Sequence, residues 1–166
     1  MKEHKVVFVL VLLITSLLVV EIKSNDNYLK IGDISFTSMK SANSDGFSII
    51  TSVNLLPGTK IRFTDSEWNG NHFGFDESDI LWEIENDTIK ANSVIKFTNL
   101  NSIPLVSSGK VYGSMRISKN NEAIFAYTGN ERMPIKILSA CANDEMGFGT
   151  LINTKLTKGT TAIIFQ

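Results

Sequence analysis

The chain has 166 residues, 16 Lys and Arg against 17 Asp and Glu, one Cys and two His. A single cysteine excludes an intramolecular disulfide, a thiolate zinc site and a dithiol redox pair. A near-neutral charge balance without a basic block gives no electrostatic footprint for nucleic acid or anionic lipid.

The N-terminus reads as a targeting segment. Lys2 and Lys5 precede an apolar run at 6–20 (VVFVLVLLITSLLVV), interrupted only by Thr15 and Ser16. A basic start followed by an apolar stretch of ~7–15 residues predicts a secretory signal peptide, a signal helix within 1–24, because a spanning helix needs ~20. Ile22 and Ser24 do not make an Ala-x-Ala site, so an uncleaved anchor is the alternative and the one expected route to a membrane. A lipoprotein anchor is excluded, since the only cysteine is Cys141. The expectation is a secreted or cell-surface protein whose 25–166 portion is one domain with 13 basic and 15 acidic residues, net −2. Without disulfides, such a domain is held by its core.

After a polar joint at 25–27, short apolar runs alternate with turn signals. Strands are expected at 28–36 (YLKIGDISF) and, after the Asp45-Gly46 punctuation, at 47–55 (FSIITSVNL). Pro57-Gly58 turns the chain into 60–64, where Ile61 and Phe63 alternate with Lys60, Arg62 and Thr64; period two marks a half-buried strand. A long polar loop at 65–79 is followed by runs at 80–84 and 93–98. Residues 99–108 read as a loop around Pro104, partly tucked in through Ile103, Leu105 and Val106. Further runs follow at 110–112, 115–118, 122–128, 134–140, 151–156 and 160–165. No window beyond the signal keeps helical periodicity over ten residues. The spacing predicts an all-β fold, a sandwich of about nine short strands. PGTKIRFTD at 57–65 echoes ANSVIKFTN at 91–99, which reads as a common way of writing a turn and a half-buried strand rather than a duplication.

The segments GDISF (32–36), DGFSIITSVNLLPGTKIRFTDSEWNG (45–70), IKFTN (95–99) and SMRISKNNEAIFAYTG (114–129) together resemble lamin-tail-like domains and related secreted bacterial modules. Lys119-Asn120-Asn121-Glu122 stands where that family usually has an Asn-x-Gly-Asp turn. The resemblance implies an immunoglobulin-like β-sandwich, found in lamins and in bacterial surface proteins, usually without catalysis of its own. It carries no catalytic residue over to this chain.

Candidate sites concentrate in 65–79 (DSEWNGNHFGFDESD). Asp65, Glu67 and Asn69 alternate before Gly70, with Asp76 where a calcium loop wants a bidentate acid. A calcium site would use these four. Against it, Glu67 stands where Asp or Asn is preferred and no helices flank the loop. The preferred reading has Asp65 and Asn69 bonding their own backbone in turns. Trp68, Phe73 and Phe75 would form a stacking platform for a glycan or a protein if exposed, and Trp68 is expected to be the open one because its neighbours are polar. Trp82 is expected in the core and Cys141 as a buried small hydrophobe. His72 is the only histidine beyond the signal. No Gly-x-Ser-x-Gly elbow accompanies it, so no nucleophilic set is legible. Asn86-Asp87-Thr88 is a glycosylation sequon, meaningful in a eukaryotic secretory pathway. The resulting expectation is an exported non-catalytic module that binds a protein or glycan. A calcium-stabilised adhesive module and a secreted nuclease or glycosidase are the alternatives.

Overall fold

A computed structural model describes residues 28–41 and 44–165; the expected signal segment 1–24 lies outside the described residues. Ten strands follow one another: β1 (Ile34–Lys40), β2 (Gly46–Thr51), β3 (Lys60–Thr64), β4 (Asp79–Glu83), β5 (Val94–Thr98), β6 (Leu105–Val106), β7 (Lys110–Tyr112), β8 (Ala123–Asn130), β9 (Met133–Ala142) and β10 (Ala162–Ile164). No α-helix occurs among the described residues. They form a four-stranded sheet, β1-β2-β5-β6, and a six-stranded sheet, β10-β9-β8-β3-β4-β7. All pairings are antiparallel except β9 with β10.

The fold is therefore all-β with two sheets, a sandwich-like arrangement built by period-two burial. In β3, Ile61 and Phe63 turn inward; in β4, Ile80 and Trp82 do; in β5, Ile95 and Phe97 do. Ile61, Phe63, Ile80 and Trp82 of the six-stranded sheet join Phe36, Phe47, Ile49, Ile95 and Phe97 of the four-stranded sheet in one buried cluster, so the sheets face each other across it. Its centre is aromatic. Phe47 stacks on Phe97 at 4.6 Å, and Phe63 lies 5.1 Å from Phe97 and 4.8 Å from Phe47. Trp82 is fully buried, as expected, and its indole N–H donates to the Ser108 carbonyl at 2.8 Å.

Several expected elements shift. The run at 28–36 becomes a strand only from Ile34, because Gly32 adopts a positive φ of 86° and turns the chain. Residues 115–118 bury Met115 and Ile117 but pair with no strand. The Met115 amide bonds the Leu100 carbonyl, and the Ile117 amide bonds the Asp45 carboxylate. Residues 151–156 are turns rather than a strand, with positive φ at Asn153 and Lys155. Conversely, Leu105 and Val106 pair with β5 where a loop was expected.

A second buried cluster covers the outer face of the six-stranded sheet. Phe125, Tyr127, Ile137, Ala140 and Ala142 point outward from β8 and β9 and are roofed by Trp68, Phe73 and Phe148 from loops. That outer layer positions the candidate site.

Candidate functional site

The excursion between β3 and β4 is closed at its base by side-chain bonds. Thr64 Oγ1 donates to the Ser78 carbonyl (2.6 Å) and accepts from the Ser66 amide (3.1 Å), while Asp65 Oδ1 accepts from the Ser78 amide (2.6 Å). At the tip, Asn69 Oδ1 accepts from the amides of Asn71 (2.9 Å) and His72 (3.0 Å), forming a turn that its own side chain templates. Trp68 bridges Phe73, and the Gly74 amide bonds the Glu67 carbonyl, so 67–74 is a miniature hairpin.

That hairpin corrects the expected aromatic platform. Side chains alternate within it: Glu67 and Asn69 face solvent, and Trp68 turns inward. Polar neighbours thus accompany a buried indole instead of signalling an open one. Trp68 is 7% exposed and Phe73 fully buried, the latter packed on Phe125 (5.3 Å) and Tyr127 (5.2 Å). Phe75 alone is open, at 71%, beside the His72 ring.

The four oxygen donors weighed for calcium separate in burial. Asp65 is buried and holds the Ser78 amide, and Asn69 is engaged in its turn. Glu67 and Asp76 are exposed. Among the described residues, no three His, Cys, Asp or Glu side chains are grouped so as to hold a metal ion. Asn86 lies exposed in the bend after β4. Cys141 is fully buried, and burial pushes its thiol well above the usual range.

The electrostatics of the excursion are acidic at one end and neutralised at the other. Burial raises the Asp65 carboxyl from its ordinary 3.8 to about 6, against the lowering effect of the Ser78 amide. Desolvation, followed by the fields of Asp65, Glu122, Asp76 and Glu67, raises Glu77 to about 7. Burial also raises Glu122, whose carboxylate accepts from the Ser118 amide. At the other end, the fully buried Asp79 side chain is paired with Arg62 at 2.6 Å and accepts from the Tyr127 hydroxyl and the Arg132 amide. Burial, and then that bond to Asp79, pushes the Tyr127 phenol upward. Arg132 Nη2 in turn donates to the Glu77 carbonyl, fastening the excursion to the β8–β9 turn.

A cleft of about 520 Å³ opens beside this layer, walled by Lys30 and Ile31, by Pro134 to Ile137 of β9, by Asn153 to Lys155 and by an edge of Trp68. Its walls are pinned. Trp68 Nε1 donates to the Ile152 carbonyl (2.7 Å), Asn153 Nδ2 to the Gly70 carbonyl (2.9 Å), and Lys136 Nζ to the Leu29 carbonyl (2.5 Å). Three lysines thus line one cleft, and among the described residues none of them is in an ion pair. Chemically, the cleft suits an anionic ligand with an apolar portion.

Sequence reasoning did not find these lysines. Lys30 lies more than a hundred residues from Lys136 and Lys155 in the chain, and each reads locally as a solvated charge. The one local signal is MPIKI at 133–137, which places Ile135, 74% exposed, beside Lys136 on the strand edge.

No protein family, no curated protein and no solved structure matches the chain in comparison with known proteins.

Proposed function

We propose that this chain is an exported, non-catalytic binding module of the immunoglobulin-like, lamin-tail-like kind, which takes a protein or glycan ligand in the cleft beside Trp68. Strand order supports the architecture. In immunoglobulin lettering, β9-β8-β3-β4 corresponds to G-F-C-C′ and β1-β2-β5 to A-B-E. The departures are the added parallel β10, β7 at the opposite edge of that sheet, a large core indole on the strand after C and the lack of an inter-sheet disulfide. Pinned walls support a preorganised site, because ordering costs are met before a ligand arrives.

The observation that carries the reading is the convergence of Lys30, Lys136 and Lys155 on one cleft in a chain of net charge −1. Screening the full chain and its Lys30→Glu/Lys155→Glu variant against arrays of acidic peptides and acidic oligosaccharides tests it. At least one anionic class is expected to bind the native chain and to be lost on charge reversal. Binding that survives the reversal, or none at all, removes the cleft from consideration as the site.

A further inference from the structure

The apolar part of the cleft lining is Ile31, Pro134, Ile135, Ile137 and Trp68, and its charged residues are Lys30, Lys136 and Lys155. An apolar floor inside a polar rim is the anatomy of a side-chain anchor point in a protein interface. Resting on the binding-module reading above, we propose that the occupant is an extended acidic segment of a partner protein. It would set one aliphatic or aromatic side chain on the floor and flanking Asp or Glu carboxylates against the lysines.

Three observations favour this occupant. The rim is cationic and, among the described residues, without acidic partners, so it is complementary to carboxylates. A volume of about 520 Å³ accommodates an anchor with its flanks. The one aromatic residue in the lining, Trp68, is only 7% exposed, which leaves no open platform on which a sugar ring would stack.

The edge of β9 also defines how the segment is read. Register passes from Tyr127↔Ile137 to Ala126↔Ser139 and from Thr128↔Lys136 to Gly129↔Pro134, so Leu138 and Ile135 are bulged out of the ladder. Pro134 has no N–H, and the Leu138 carbonyl is already taken by the Gly32 amide. Bulges and proline protect the edge against strand addition. Recognition therefore runs through side chains, not through a new ladder.

Fluorescence anisotropy on the full chain tests this with a labelled Asp-Glu-Asp-Ile-Glu-Asp-Glu peptide, its Asn/Gln isostere, the same acidic peptide with Ser for Ile, and an oligogalacturonate. The acidic Ile peptide is expected to bind, more weakly as salt is added. Its affinity should fall about fivefold to tenfold in a Lys30→Gln/Lys155→Gln variant with an unchanged circular dichroism spectrum. Both altered peptides should bind at least about fivefold more weakly. Oligogalacturonate binding without peptide binding overturns the peptide inference and leaves the cleft as a binding site. Equal affinity of the Ile and Ser peptides overturns the anchor. Peptide binding indifferent to the lysine substitutions, or no binding of any probe, overturns both the inference and the cleft.

Discussion

Gly46 occupies a place that no other residue fits. The Asp45-Gly46 pair reads in sequence as turn punctuation, yet Gly46 is the first residue of β2, paired with Lys40 and lying against β5. A Cβ at this position would stand 2.4 Å from the Phe97 carbonyl oxygen, so the requirement is room and not a left-handed φ. The dipeptide signal is correct about glycine and silent about its reason, since close backbone approach and turn geometry select the same residue. Gly46→Ala must push β2 away from β5 at the stacked pair Phe47 and Phe97. A loss of about 2–3 kcal/mol is expected from such overpacking. Urea denaturation measures it, and a change below about 0.5 kcal/mol, the range of an ordinary surface substitution, would show that the strands yield freely.

The 65–78 excursion acts as one element, a clamp whose base is acidic. Asp65 has its folded-state carboxyl raised from 3.8 to about 6, so the folded chain holds that proton over a pH range in which the unfolded chain releases it. The resulting stability is present in full below pH 3.8 and is lost as pH rises through about 6. Burial at 7% exposure lets this matter, to at most about 3 kcal/mol, with the Ser78 amide offsetting part of the cost of ionisation. Glu77 titrates higher, near 7, but is exposed, and solvent screens its share. Asp65→Asn keeps an oxygen for the Ser78 amide and removes the charge. Its melting temperature should exceed that of the native chain at pH 8, with the gap closing towards pH 4. A constant gap across that range would mean that Asp65 is not the titrating group. Part of this element was legible. Asn69 templates the turn its residue type suggests, whereas Asp65 bonds the Ser78 amide across the base of the excursion and not a local turn. The orientation of Trp68 was not, because the alternation that buries it begins only where the Trp68–Phe73 bridge forms, and nothing local announces that bridge.

At the scale of the whole molecule, the sequence marks strands well where one face is core and the other solvent. β3 and β7 fall where period two and the turns place them. The outer cluster was hidden because β8 is buried on both faces, Ala123 to Thr128 without a break, and its roof comes from connections at 66–75 and 143–161 that carry no sustained apolar period in sequence. The two clusters lie on opposite faces of the six-stranded sheet, which makes Cys141 a reporter that distinguishes them. It is paired with Ile124 on one side and Ile163 on the other, and it faces the inner cluster, with Met39 Sδ 3.8 Å from its sulfur. A thiol reagent reaches it only when the sheets part, so labelling in dilute urea should have the same denaturant dependence as global unfolding. Trp68→Ala removes a roof residue and its bond to Ile152, at a cost of about 3 kcal/mol. If the outer layer unfolds only with the inner core, labelling of that variant should rise by about two orders of magnitude, matching its loss of global stability. If the roof opens by itself, the variant loses protection in the 66–75 amides while Cys141 labelling barely changes. That second outcome would make the wall of the cleft an independently mobile layer and contradict the preorganised site on which the binding reading depends.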